Sequence, residues 1–179
     1  MPNHVKNVLK FKKLTAKDKD FILDTIATPQ TVPTDPIEET TYAIDFDKII
    51  PEPQTLEECP EDCRVNKDSH VEEDKDRPWF DWYTWRNKYW GTKWRAYECN
   101  SIIKDDSITF IFSTAWSMPY PIIEHLRLLG YEFELKYADE DYGSNCGTLY
   151  YEPDGITGEM KMYESSEDEQ FAKELWEKY

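Results

Sequence analysis

The chain has no run of 18 or more apolar residues, which excludes a transmembrane helix. Its opening, Met1-Pro-Asn-His-Val-Lys6, lacks the apolar stretch of a secretory signal. Four cysteines in 179 residues are too few for a disulfide scaffold, so the expected setting is a reducing cytoplasm. Glycine is scarce, at six residues, and no Gly-rich phosphate loop, dinucleotide turn, Gly-x-Ser-x-Gly or His-Glu-x-x-His motif is present. The three histidines, His4, His70 and His125, are scattered, so the sequence is expected not to encode an enzyme and calls for no cofactor. Basic residues are also short, 21 Lys and Arg against 37 Asp and Glu, for a net charge of -16. That argues against direct nucleic-acid binding, which needs cations to neutralise phosphates.

What is abundant is aromatic and acidic. Seven Trp, twelve Tyr and eight Phe must supply the bulk of the core. The charge is uneven: residues 1–19 sum to +5, residues 52–76 to -7 and residues 138–179 to -9, whereas the Trp-rich stretch 77–137 is nearly balanced. The acidic blocks either keep a small protein in solution or form a face that docks on a basic surface.

The periodicity predicts a half-buried strand over 4–11, with Val5, Leu9 and Phe11 on one face and Asn7 as the exception. Thr15 is the expected N-cap of a helix, with Asp18 three residues on, and Pro29 should stop that helix near Ala27. Residues 28–41 read as a loop, 42–50 as extended, and 52–76 as an irregular or mobile insertion. Trp82, Trp85 and Tyr89 share helical spacing. Residues 94–103 and 107–116 read as two strands joined by Lys104-Asp105-Asp106, with Ile111 suggesting partial cover on the second face. Pro119 and Pro121 open a helix that ends at Gly130, and Tyr131–Tyr137 alternates as a strand with one wet face. A hairpin over 148–163 follows, then a helix capped by Ser165 or Ser166 with Phe171, Leu175 and Trp176 inward. The order predicts one α+β domain over 1–179. Its core is a ferredoxin-like βαββαβ unit with an antiparallel sheet, helices on one face, an acidic and aromatic insertion at about 52–90 and an acidic C-terminal hairpin and helix at about 146–179.

Four ordered stretches carry a resemblance: Met1 to Leu9, Phe46-Asp-Lys-Ile-Ile-Pro-Glu-Pro53, Trp90-Gly-Thr-Lys-Trp94 and Phe112-Ser-Thr-Ala-Trp-Ser-Met-Pro119. With the strand and acidic loop from Tyr131 to Gly147, they resemble the YubB ferredoxin-like family of phage and plasmid proteins, Api-type proteins of unassigned activity. The resemblance spans roughly 1–155. It implies a ferredoxin-like core and a home on a mobile element in a bacterial cytoplasm, and it implies no chemistry. The acidic segments 54–76 and 164–179 look like additions particular to this chain.

Several motifs have a chemical and a structural reading. Trp90, Lys93, Trp94 and Arg95 could form a platform for a nucleotide or other small ligand, or could simply pack over a sheet end. Cys59 and Cys63 with His70 resemble half a zinc site, but no second pair completes the ligand set, so no metal is expected. The oxygen-rich Asp139–Asn145 loop lacks the Gly and bidentate Glu of a calcium loop. The favoured expectation is a non-enzymatic mobile-element protein that binds a host protein through that protein's basic nucleic-acid-binding surface, as an inhibitor of CRISPR or restriction defence. Asp139, Glu140, Asp141, Glu167, Asp168 and Glu169 are the expected docking carboxylates. The alternatives are a nucleotide-sequestering protein and an accessory protein with no host target.

Overall fold

The computed structural model describes residues 3–32, 39–67, 69, 74–142, 145–153, 159–164 and 169–179, with the backbone alone at 32, 39 and 159–164. Its strands are β1 (His4–Phe11), β2 (Ala27–Val32), β3 (Glu39–Ile44), β4 (Tyr97–Lys104), β5 (Ser107–Ala115), β6 (Phe133–Asp139), β7 (Cys146–Glu152) and β8 (Glu159–Glu164). Its helices are α1 (Ala16–Ile26), α2 (Phe46–Ile49), α3 (Trp82–Tyr89), α4 (Tyr120–Leu126) and α5 (Glu169–Lys178).

β1 is an interior strand of a six-stranded sheet in the order β4-β5-β1-β6-β7-β8, antiparallel throughout. With α1 joining β1 to the β4–β5 pair and α4 leading from β5 to β6, the fold is ferredoxin-like, and β7 and β8 lengthen the same sheet. On one face Leu9 and Phe11 stand opposite Phe110 and Ile108 on one side, and Leu135 and Phe133 on the other. Ile22 and Ile26 of α1 and Ile122, Ile123 and Leu126 of α4 complete that core. Asn7, within this apolar row, donates through Nδ2 to Val5 O and Thr114 Oγ1, each at 2.9 Å.

The second face is covered as well, in line with the partial cover expected from Ile111. Val8, Ile111, Ala138 and Cys146 meet Ala172 and Leu175 of α5. Trp176 Nε1 donates to Ala138 O at 3.1 Å, and Lys6 Nζ lies 4.8 Å from the Trp176 ring centre. This explains why β1 is buried on both faces rather than half-buried. The amphipathic pattern of the last helix named the residues that turn inward. It could not name the surface they meet. Ser165 and Ser166, the expected caps, lie outside the described residues.

Local chemistry sets the boundaries. Thr15 and Asp18 form a reciprocal capping box at the start of α1. Pro29 does not open a loop: α1 ends at Ile26, and the described part of 28–41 holds most of β2 and the first half of β3, an antiparallel pair in which Pro29 faces Tyr42, while 33–38 lies outside the described residues. A two-stranded ribbon has only edges, so a residue without an N–H is tolerated there. The ribbon docks on the β4 edge: Thr41 Oγ1 donates to Asn100 Oδ1 (2.8 Å), Tyr42 N to Ser101 Oγ (2.9 Å) and Gln30 Nε2 to Cys99 O (2.7 Å). The extended reading of 42–50 fails after Ile44, where Asp45 caps the short helix α2. Gly130 closes α4 and its 3-10 extension in the left-handed conformation, at φ 73°.

The insertion is irregular but fastened. Glu52, 3% exposed, receives Arg86 Nε at 2.6 Å, Arg77 Nη2 at 2.9 Å and Arg95 Nη2 at 3.4 Å. Arg86 also lies over the Trp82 and Trp90 rings, at 4.9 and 5.2 Å. Burial would raise the Glu52 carboxyl, but the hydrogen bonds and charges of Arg86, Arg77 and Arg95 outweigh burial and hold it below the usual range. A carboxylate whose folded pKa is depressed contributes stability above its unfolded pKa, about 4.3. That contribution is lost as pH falls through the folded value. Glu52→Gln is therefore expected to cost on the order of 3 kcal/mol at pH 7, because the arginines lose their anion. Denaturant titrations at pH 7 and pH 3 should show the gap between variant and parent shrinking at the lower pH. An unchanged gap would contradict the linkage.

Candidate functional site

One end of the sheet gathers the start of β1, the ends of β5 and β6, and the starts of β4 and β7. Four non-glycine residues adopt positive φ there: Glu98 (50°), Trp116 (70°), Tyr142 (49°) and Asn145 (50°). Such backbone is costly for a side-chain-bearing residue and persists only where surrounding contacts impose it. Glu98 sits where the β4–β5 register shifts between Tyr97 and Asn100, a bulge that re-aims the strand.

The contacts that impose it are polar. Asp139, 4% exposed, accepts from Asp141 N at 3.0 Å, Asn145 Nδ2 at 3.1 Å and Asn3 Nδ2 at 3.3 Å. Asn145 Nδ2 also donates to Trp116 O at 2.8 Å, and Trp116 N donates to Asn3 O at 2.9 Å. Asp139 therefore organises the loop from inside, and its place among the docking carboxylates is corrected: its oxygens are turned to the protein. Glu140 and Asp141 are exposed. Glu169 is exposed in the first turn of α5, about 10 Å along the helix from Trp176, which anchors beside Asp139. Glu167 and Asp168 lie outside the described residues. The expected sextet is thus not one cluster among the described residues.

Beside this loop, Tyr97 Oη lies 2.5 Å from His4 Nδ1 and 3.2 Å from Thr114 O. The hydroxyl has one proton, and when that proton bonds the Thr114 carbonyl the oxygen is left to accept from a proton on His4 Nδ1. Burial, then the charges of Glu98 and Glu140, push the Tyr97 phenol up to about 12, which keeps it a donor.

The Trp90–Arg95 turn divides into two functions. Trp90 is buried, donates to Ile50 O at 2.9 Å and packs edge-on against Trp85 and Phe46. It is a core residue and no ligand platform, which corrects its place in the ligand set. Gly91, at φ 77°, lies so close to Pro121 that a Cβ would meet Cδ at 2.6 Å. Arg95 is committed to Asp47 and Glu52. Lys93 and Trp94 alone remain available. Lys93 Nζ stands 5.1 Å from the Trp94 ring, 5.3 Å from Trp116 and 6.0 Å from Tyr83. Trp116, 41% exposed, and Tyr83 were not among the sequence-predicted site residues. Nothing in the spacing joins 83, 93 and 116, and only the fold brings them together.

Cys59 and Cys63 are free and buried, with the Cys59 thiol donating to Cys63 O at 3.4 Å. Burial pushes both thiols up, Cys63 to about 12, which opposes the thiolate form a metal requires. His70 lies outside the described residues, and among those described no cluster of three His, Cys, Asp or Glu could hold a metal ion. No helix among the described residues is long and apolar enough to cross a membrane.

The division of the turn is testable. Trp90→Ala should cost about 3–5 kcal/mol, the range for emptying a buried aromatic site. Trp94→Ala, on a half-buried ring, should stay within about 1 kcal/mol by the same denaturant measurement. Equal losses would contradict it.

No curated protein and no solved structure gives a significant match to the chain. A family model does, over residues 90–178. The match reaches the end of α5, so the C-terminal hairpin and helix are part of the matched domain, against the expectation that 164–179 is an addition particular to this chain. It starts at Trp90, leaving β1 and α1 outside. Over the part from β4 to α5 the chain is similar to the ferredoxin-like domain in Api92-like proteins.

Proposed function

We propose that the protein is a non-enzymatic binding protein of a phage or other mobile element, acting in a bacterial cytoplasm. It docks through its acidic surface on a host protein whose basic face handles nucleic acid, as an inhibitor of a CRISPR or restriction nuclease would. The observation that carries the reading is how the two signs of charge are used. The net charge is -16, and many of the basic groups are held in internal ion pairs: Lys12 with Glu134, Lys13 with Glu132, Arg77, Arg86 and Arg95 with Glu52, Lys88 with Asp62 and Arg127 with Glu124. A partner therefore meets surplus carboxylate. Glu140 and Asp141 lie at the sheet end beside exposed Trp116 and Tyr142, the mixture of anion and aromatic surface that suits a basic partner. Duplex DNA presents one negative charge per roughly 1.7 Å, so a dense carboxylate face can compete for the same groove.

The distinctive groups support binding rather than chemistry. Asp139 is saturated by internal donors, and burial pushes the thiols of Cys59, Cys63 and Cys99 up.

The test is capture of a host partner on immobilised protein, from nuclease-treated lysate of a bacterium carrying several defence systems, followed by rebinding of the purified partner. The partner should release between low and physiological-to-high salt, because exposed charges are screened beyond about 8 Å at 0.15 M. The double variant Glu140→Lys, Asp141→Lys should weaken binding about tenfold or more while melting near the parent temperature. Retention of the partner at full strength by that variant would sink the sheet-end assignment.

A further inference from the structure

The exposed aromatic residues at the sheet end surround a cation of the chain's own. Lys93 Nζ is within 6.0 Å of three ring centres, those of Trp94, Trp116 and Tyr83. Tyr83 and Trp116 meet edge to face at 6.2 Å, and Trp94 continues edge-on to Tyr97 at 6.1 Å. In a protein so rich in carboxylates, Lys93 makes no ion pair and no hydrogen bond among the described residues. Ring faces take the place of an acid. A cation over an aromatic face within about 6 Å is attracted by the ring quadrupole, and several faces together make a cage that selects cations.

The cage walls are held in place independently of Lys93. Thr92 Oγ1 donates to Ala115 O at 2.8 Å, and Ser117 Oγ donates to Gly91 O at 2.6 Å, so the turn carrying Lys93 and Trp94 is tied to the segment carrying Trp116. The left-handed backbone of Trp116 turns its indole outward, held by Asn3 and Asn145. The surroundings favour a positive guest, since Glu98 and Glu140 both act on Tyr97 beside Trp94.

We propose that Tyr83, Trp94 and Trp116 form a binding site for a cationic side chain, and that Lys93 fills it in the free protein. The guest is an arginine of a basic protein partner, whose planar guanidinium stacks on indole better than an ammonium does. On docking, Lys93 swings out on its flexible stem and the arginine takes its place. The choice of guest rests on the docking reading above, whereas the cage itself does not.

The test uses the full chain labelled with nitrogen-15 and follows the indole N–H signals of Trp94 and Trp116, assigned by single substitutions. Nα-acetyl-arginine amide is titrated at constant ionic strength, with Nα-acetyl-glutamine amide as the neutral control. Lys93→Ala should bind the arginine probe about tenfold more tightly than the parent, since the internal competitor is gone. Trp116→Leu in that background should abolish the shifts, and the glutamine probe should produce none. If Lys93→Ala loses signal dispersion, Lys93→Gln keeps the chain length and removes the charge. Equal arginine affinity in the parent and in the Lys93 variant would overturn the proposal. So would a nucleotide that shifts the same indoles in the parent and fails to do so in Lys93→Ala, because Lys93 would then be the ligand-binding group. Failure of this titration leaves the charge-reversal experiment standing, and failure of that experiment leaves this titration standing, so the two readings fall separately.

Discussion

The buried carboxylate of Glu52 is the contact on which the rest of the molecule depends. It lies just after α2 and draws in Arg77 and Arg86 from the insertion and Arg95 from the approach to β4. Removing a carboxylate from water is costly, and only several well-placed donors offset that cost. Three guanidiniums from distant positions therefore have to converge, and their convergence fixes where Arg77, Arg86 and Arg95 lie relative to the end of α2. The arginines also cover indole: Arg86 lies over Trp82 and Trp90, and Arg95 over Trp90. One anion thus orders a segment that has little regular structure of its own, and it seats Trp90 in the core beside Phe46 and Trp85.

The candidate site is a consequence of that seating. With Trp90 anchored, the close approach of Gly91 to Pro121 fixes where the turn begins, and Thr92 pins it to the end of β5. Lys93 and Trp94 are then presented next to Trp116, the first residue beyond the strand. On the other flank, Asp139 performs the same service for the β6–β7 loop. A buried anion organises each side of the sheet end, and the exposed anions and rings are left between them. This arrangement reconciles an acidic protein with a lysine that has no acid partner among the described residues: Asp139 is already engaged by backbone and amide donors.

Much of the fold was legible in the residues. The alternation of β1, β5 and β6, the capping box at Thr15 and Asp18 and the stop at Gly130 are local patterns, and each element stands close to where its pattern predicts. The misreadings have one cause. Pro29 and its threonine neighbours look like a loop locally, yet they form a ribbon because β4 offers an edge on which to dock. The acidic insertion looks solvated locally, yet Glu52, Cys59 and Cys63 are buried because distant side chains cover them. The last helix announced its inward face but not that its surface would be the second side of the sheet.

For the site, the sequence by itself determined the ingredients: an acidic chain, a Trp-rich centre, an acidic loop after β6 and the order of strands and helices that yields a ferredoxin-like sheet. It picked out Lys93 and Trp94 as available groups and placed Glu140 and Asp141 on a loop. Tertiary structure alone decided which groups act on the outside. It buried Trp90 and Asp139, committed Arg95 to Glu52 and Asp47, and brought Tyr83 and Trp116 to Lys93 across 10 and 23 residues of chain. The physical reason is that burial and cation–π contact depend on distance in space. Local spacing encodes only the neighbours within a turn or along a strand.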